Sequence, residues 1–314
     1  MPTYGTILSA TLPVFLVVAV GFLFQRRGWL NEETEMGMMK IVLNLLVPCL
    51  ILSLIPGNPA LESVSSAAWA IGLGFILIVG GLVLAWLGGL AGGMRTGTGL
   101  RTFTISTGIQ NYGFIPLPIL VELFPGNAGP SGLVFVFGVG VEVAMWTVGL
   151  TIMSGKAGLK AIFNGPFLAV AVALMLNFTG GYHYVPGIIA TTAEMLGRCA
   201  VPISIFMVGA TMGRFFRDGI FSDVFRVGLV SVIVRLGLHA ALILAAAVFL
   251  PVSPDLKRLL VVQAAMPAAI FPIVLVRLFG GQTQMAIQVV LVTSLVSLIT
   301  APLVIAWGLH WVHG

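Results

Sequence analysis

Ten apolar segments, each long enough to cross a membrane as a helix, follow one another along this chain of 314 residues. A helix needs about 20 predominantly apolar residues to span the hydrocarbon core of a bilayer. Charged residues and Gly/Pro turns separate the segments, and no loop exceeds a dozen residues. The pattern predicts an all-α integral membrane protein embedded in a lipid bilayer. The segments are 6–25, 36–55, 67–90, 101–124, 131–153, 165–181, 187–211, 224–250, 257–278 and 284–309.

The composition argues against the main classes of soluble protein. Hydrophobic residues make up 59% of the chain and charged residues 8%, whereas about a quarter of the residues of a soluble domain are charged. The short loops leave no room for a nucleotide-binding domain, and neither GxxxxGK[ST] nor GxGxxG occurs. ATP-driven pumping is therefore not expected. The net charge of +5 is spread between apolar segments, so nucleic acid is not an expected partner.

Cations are shared unevenly between the two sets of loops. Eleven lie in or beside the loops after segments 1, 3, 5, 7 and 9, and only Lys257 and Arg258 lie in the others. Cytoplasmic loops carry an excess of Lys and Arg. The asymmetry predicts a plasma (inner) membrane protein with both termini outside the cytoplasm. The eleven are Arg26, Arg27, Lys40, Arg95, Arg101, Lys156, Lys160, Arg214, Arg217, Arg226 and Arg277.

The chain repeats itself. Three short patterns recur at offsets of 153, 154 and 155 residues, which predicts two five-helix repeats over 1–155 and 156–314. Five is an odd number, so the second repeat enters the membrane upside down relative to the first. Inverted repeats of this kind are typical of secondary transporters, whose substrate site lies where the repeats meet. The recurring pairs are Pro13 with Pro166, Pro48 with Pro202, and Ile119 with Val274.

Segments 4 and 9 cannot be continuous helices. Segment 4 contains Pro116 and Pro118, and segment 9 contains Pro267 and Pro272. Proline removes a backbone donor and clashes with the preceding turn. Two interrupted helices in corresponding positions of two repeats are a strong pointer to a transport site. The second half of each segment is expected to present free amides and the positive end of its helix dipole to an anion.

Several longer motifs resemble a known family. They are LPVFLVVAVGFLFQRRGWLNEE followed by KIVLNLLVPCLILS, NYGFIPLP in segment 4, and QAAMPAAIFPIVLVRLFGG in segment 9. Over essentially the whole chain they are similar to the auxin efflux carrier family, which includes plant PIN-type exporters and bacterial malonate-type permeases. The long central cytoplasmic loop of many plant members is missing.

The resemblance implies a fold like that of bile-acid symporters and sodium/proton antiporters. Segments 4 and 9 would cross in a core made of segments 3–5 and 8–10. Segments 1, 2, 6 and 7 would form a panel beside that core. The family resemblance also implies a homodimer.

The resemblance also implies substrate ligands. In the family, the asparagine seven residues before the proline of segment 4 contacts the substrate carboxylate, and Asn111 holds that place relative to Pro118. Pro267 matches the crossing proline of segment 9. The internal repeat sets Met266 opposite Asn111, so a second amide is missing there and Gln263 is the nearest polar substitute. The candidate substrate residues are Gln110, Asn111, Pro116, Pro118, Gln263, Met266 and Pro267.

Three intramembrane charges are further candidates, because charge in lipid is costly and usually functional. Glu142 and Arg235 both fall near the expected midplane and are predicted to pair, either as a structural ion pair or in ion coupling. Glu142 also lies four residues before the tryptophan of segment 5, where plant relatives place a polar residue of a support site, and this favours a proton or cation role. Arg198 would either attract an anion or form an i,i+4 pair with Glu194.

The expected function is secondary active transport of a small organic anion by elevator-type alternating access, coupled to H⁺ or Na⁺. The substrate would be a carboxylate such as an auxin-like acid or a dicarboxylate. A sodium-coupled symporter of the bile-acid type is the alternative, because the hydroxyls and amides of segment 4 with Gln263 could ligate sodium. An intramembrane enzyme is disfavoured, since no Asp lies within a segment and neither HExxH nor GxSxG occurs. A channel would need a continuous polar pore, and no cofactor or bound metal is expected.

Overall fold

The computed structural model of the protein describes residues 4–216 and 224–313, and most of them lie in helices. No strand occurs in these two ranges, where the isolated extended pairing is a bridge between Gln110 and Ala268. Arg217, counted above among the cytoplasmic cations, lies outside the described residues. The all-α class predicted by the apolar segments is confirmed.

Twelve helices carry the fold in the described ranges, leaving aside short 3₁₀ turns in the loops. In chain order they are α1 Tyr4–Arg26, α2 Glu32–Leu54, α3 Val64–Ala91, α4 Leu100–Gly108, α5 Pro116–Leu123, α6 Gly129–Ser154, α7 Gly165–Thr179, α8 Gly187–Arg214, α9 Arg226–Phe249, α10 Pro254–Ala265, α11 Phe271–Leu278 and α12 Thr283–Val312. Seven of them, α1, α2, α3, α6, α8, α9 and α12, are long and apolar enough to cross a membrane. The protein is therefore a multi-pass membrane protein.

The two interrupted segments appear as two pairs of short helices. Segment 4 divides into α4 and α5, and segment 9 divides into α10 and α11. Helix α7 has 15 residues and is the shorter apolar helix that replaces predicted segment 6. The predicted interruption of segments 4 and 9 is thus confirmed.

Helix α2 starts four residues before the predicted segment 36–55. The Asn31 side chain accepts a hydrogen bond from the Thr34 amide over 2.7 Å, which caps the helix. The first turn contains Glu32, Glu33 and Glu35. The positive end of the helix dipole stabilises carboxylates at this position. Hydropathy alone misses this turn because its residues are charged.

The helices pack in two sets. In the first, α8 packs along both α1 and α2, and α2 also contacts α7. In the second, α3 packs on α4 and α6, and α10 and α12 pack against each other. Helix α10 also packs on the second half of α9, and α12 packs on its first turns. The sets meet where α1 contacts α5 and α12, where α6 contacts α2 and α7, and where α8 contacts α12.

Reciprocal glycines allow the closest helix contacts. A Cβ atom on Gly74 of α3 would overlap the Phe137 carbonyl of α6, and one on Gly140 of α6 would overlap the Ile71 carbonyl of α3. Small residues let membrane helices approach until their backbones touch. Helices α3 and α6 therefore form a rigid pair beside the two interruptions.

Candidate functional site

The two interruptions cross and bond to each other through their backbones. The Asn111 amide donates to the Pro267 carbonyl over 2.8 Å, and the Ala269 amide donates to the Ile109 carbonyl over 2.9 Å. These two bonds make the antiparallel bridge at Gln110. Irregular backbone at membrane depth is tolerated only where its polar groups are satisfied or line a cavity. Each interruption thus supplies hydrogen-bond partners for backbone groups of the other.

Local sequence explains where the helices stop. Pro267 forces Met266 into an extended conformation, with φ −74° and ψ 142°, and α10 therefore ends at Ala265. In segment 4 the interruption lies before the prolines, because Pro116 and Pro118 fit the first turn of a new helix, α5. Both prolines are buried in that turn.

Asn111 lies at the crossing, as the family resemblance implied. Its side chain is 5% exposed, and its Oδ1 accepts a hydrogen bond from the Ile115 amide over 3.3 Å. Its Nδ2 makes no hydrogen bond within the described chain. The side chain thus caps the approach to α5 and keeps one donor available.

The expectation of free amides at the start of α5 is wrong. Pro116 and Pro118 carry no amide hydrogen. The Ile115 amide is taken by Asn111, and the Leu117 amide donates to the Gly113 carbonyl over 3.2 Å. The dipole of α5 remains, so its N-terminal end attracts an anion through its field and not through open amides.

Buried polar atoms without a partner gather on the same segments. In the described part of the chain, neither amide atom of Gln110 has a hydrogen-bond partner, and the same holds for the hydroxyls of Ser106 and Thr107. Gln263 donates from Nε2 to the Tyr112 carbonyl over 2.8 Å, while its Oε1 has no partner. Buried polar groups are normally paired, which makes these atoms candidate ligands for a substrate, an ion or water.

Glu142 and Arg235 do not pair, contrary to the prediction. Glu142 of α6 accepts hydrogen bonds from the Tyr112 hydroxyl over 3.2 Å and from Asn164 Nδ2 over 2.6 Å. The prediction failed because pairing was argued from depth alone, whereas contact also depends on how each helix is rotated. Tyr112 and Asn164 were missed. NYGFIPLP contained Tyr112, but nothing in the sequence indicated its carboxylate partner.

Arg235 is fully buried against the end of α10. Its Nε donates to the Met266 carbonyl over 3.0 Å, and a terminal nitrogen lies 3.3 Å and 3.4 Å from the carbonyls of Gln263 and Ala264. Another terminal nitrogen contacts Nδ1 of His239. Both side chains come from a π-helical stretch of α9, Ile233–His239. Such stretches are frequent at functional sites.

Arg198 forms the local pair that was the alternative to anion attraction. It reaches Glu194 one turn earlier on α8, and its side chain is 77% exposed. Among the described residues this arginine lies away from the crossing contacts. Its location favours the structural interpretation.

Ion pairs join the ends of three helices on one side of the molecule. Glu32 at the start of α2 lies 3.1 Å from Arg214 at the end of α8 and 3.7 Å from Arg277 of α11. Between two loops that the charge pattern assigns to the other side, Asn127 before α6 donates a hydrogen bond to Asp255 of α10 over 3.0 Å. Loops that the charge pattern assigned to one side of the membrane therefore meet one another in the fold.

Two comparisons agree with the motifs. The sequence profile of the family described as Membrane transport protein matches residues 6–162 and 151–305. An uncharacterized transporter of Methanothermobacter thermautotrophicus is 24% identical over 224 residues, which cover 68% of this chain and 70% of the relative. The profile spans nearly all of the described helices. The chain therefore belongs to the membrane transport protein family, which is that of the auxin efflux carriers and PIN-like transporters.

Proposed function

We propose that the protein is a secondary active transporter of a small organic anion, working by elevator-type alternating access. The observation that carries the proposal is the antiparallel crossing of Asn111 with Pro267. Two interrupted helices that meet at their breaks supply polar groups and helix ends inside the membrane. The ten crossings of the proposed inverted repeats are the seven long helices, α7, and the two interrupted pairs.

The packing supports a division into panel and core. Helices α1, α2, α7 and α8 form the proposed panel, and the remaining helices form the proposed core, which contains the crossing. Their contacts run through α1, which touches α5 and α12, and through α6, which touches α2 and α7. A core that slides along this seam would expose the crossing to one side of the membrane and then to the other.

The crossing has a donor for a carboxylate and open space two residues away from it. A Cβ atom on Gly113 would meet no atom within 4 Å, so open space lies two residues after Asn111. Asn111 Nδ2 is an available donor, and Gln110 is an unpartnered neighbour. The N-terminal ends of α5 and α11 add a positive field. We propose Gln110, Asn111 and Gln263 as polar ligands, with Pro116, Pro118, Met266 and Pro267 shaping the site.

Glu142 is the proposed coupling residue. It is a partly buried carboxylate in α6, and it accepts a hydrogen bond from Tyr112, the residue that follows Asn111. A proton on Glu142 would change its hydrogen bond with Tyr112 and so reach the crossing. Sodium coupling is the alternative that one observation favours, because Ser106, Thr107 and Gln263 each have an unpartnered oxygen.

The test is transport in proteoliposomes. Saturable uptake of a labelled carboxylate, accelerated by unlabelled carboxylate inside the vesicles, is the result expected of an alternating-access transporter. A conductance that does not saturate and shows no counterflow would contradict the proposal and favour a channel. Crosslinking in native membranes tests the proposed homodimer. The proposed location is the plasma or inner membrane, with both termini outside the cytoplasm.

A further inference from the structure

Two helix ends of the same polarity meet beside one buried cation. Helices α4 and α10 end at Gly108 and Ala265, so both direct carbonyl groups toward the crossing. Arg235 binds the carbonyls at the end of α10. A Cβ atom on Gly81 would overlap both the His239 ring and the Gly108 carbonyl. The carbonyl end of α4 therefore lies beside His239, which itself contacts Arg235.

The charges of this arrangement can be added. A helix end carries roughly half an elementary charge, negative at the carbonyl end and positive at the amide end. The carbonyl ends of α4 and α10 together offset about one positive charge, which the Arg235 guanidinium supplies. The N-terminal ends of α5 and α11 keep a positive field of about one charge between them, which at α5 acts through the helix dipole and not through open amides.

No carboxylate in the described part of the chain contacts Arg235. None of the ion pairs among the described residues includes Arg235. Glu142 directs its two oxygens to Tyr112 and Asn164, which are neutral donors, so its carboxylate does not contact Arg235. His239 directs Nε2 to the Leu77 carbonyl over 2.9 Å, so it adds a polar contact to Arg235 and no negative charge. Among the described residues, Arg235 therefore has no carboxylate partner.

We infer that Arg235 is the resident cation of the crossing. It offsets the negative carbonyl ends of α4 and α10, and it leaves the N-terminal ends of α5 and α11 to a single carboxylate. The inference rests on the proposed function and adds to it a requirement for the charge of the substrate. The site selects a carboxylate over its neutral amide, and sodium is not required for binding.

The experiment compares carboxylates with the corresponding neutral amides. Benzoate, phenylacetate, malonate and succinate are measured beside benzamide, phenylacetamide, malonamide and succinamide, as binding to the purified protein in sodium buffer and in choline buffer. Arg235→Gln removes the cation. His239→Glu keeps Arg235 and gives it a carboxylate partner one turn away. His239→Gln and Arg198→Gln are the matched controls, because the first adds no charge and the second removes an exposed guanidinium far from the crossing.

The native protein is expected to prefer at least one acid over its amide by tenfold or more, equally in both buffers. Arg235→Gln and His239→Glu should each lower affinity for that acid at least tenfold and leave affinity for the amide nearly unchanged. The controls should keep the acid preference. His239→Glu keeps the experiment decisive if Arg235→Gln does not fold, since the capping guanidinium is still present.

Other outcomes separate two failures. If the native protein binds none of the acids, the proposed anion transport falls and the inference with it. If the native protein prefers an acid but His239→Glu keeps that preference, or loses acid and amide alike, Arg235 is only a structural cap. An absolute need for sodium in the native protein would also overturn the inference while leaving anion transport intact.

Discussion

The Tyr112 hydroxyl donates a hydrogen bond to the Glu142 carboxylate over 3.2 Å, which joins the crossing to helix α6. Asn164, the residue that caps α7, holds the other carboxylate oxygen. In the proposed architecture α6 belongs to the core and α7 to the panel. Glu142 therefore links the candidate substrate site to both the proposed core and the proposed panel.

Glu142→Gln is expected to abolish pH-gradient-driven accumulation while preserving substrate exchange at equal concentrations. Glutamine keeps the size of the side chain but cannot take up and release a proton near neutral pH. Driven uptake and exchange are measured in the same proteoliposomes. Glu194→Gln is the control, because that carboxylate lies on the exposed face of α8. Normal driven uptake by Glu142→Gln would remove the coupling role and direct attention to the unpartnered oxygens of Ser106 and Thr107.

Asn111→Ala is expected to weaken carboxylate binding by about 1 to 3 kcal/mol, the cost of leaving a buried polar partner unsatisfied. The variant also loses the bond from Ile115 to Oδ1, so its melting temperature is measured beside its affinity. The control is Asn44→Ala, whose side chain is exposed and bonds within its own helix turn. Unchanged affinity in a folded Asn111→Ala protein would exclude this side chain as a ligand.

Single cysteines test the orientation predicted by the cation asymmetry. Cys49 and Cys199 are first replaced, because both are free thiols. Pro59→Cys and Pro125→Cys should then react with an impermeant reagent added outside right-side-out vesicles. Thr96→Cys and Lys156→Cys should react only after the vesicles are opened. All four positions are exposed in the fold, and the reverse labelling pattern would invert the topology.

Gly74→Ala is expected to lower thermal stability, because the new Cβ overlaps the Phe137 carbonyl of α6. Overpacking of this kind typically costs about 1 to 3 kcal/mol. Gly72→Ala is the matched control, since a Cβ atom there meets nothing within 4 Å. The two melting temperatures are compared in the same detergent. Equal stability of the variants would show that α3 and α6 separate easily at this contact.

Much of the fold was decided by local sequence. Apolar length specified the helices that cross the membrane, because a helix in lipid needs only its own backbone partners. Both interruptions were indicated by prolines, because proline disrupts the helix in which it lies. They are Pro116, Pro118, Pro267 and Pro272. The start of α2 was misplaced because the Asn31 cap is a local signal that hydropathy does not contain.

Contacts between distant segments were decided by tertiary structure alone. The sequence placed Glu142 and Arg235 at a similar depth in the membrane, but depth does not fix how each helix is rotated. In the fold, Glu142 bonds to Tyr112 and Asn164, and Arg235 donates to a carbonyl at the end of α10. The sequence by itself determined which residues are costly to bury. Packing determined which partner offsets that cost, because the partner depends on the position and rotation of another helix that no local pattern contains.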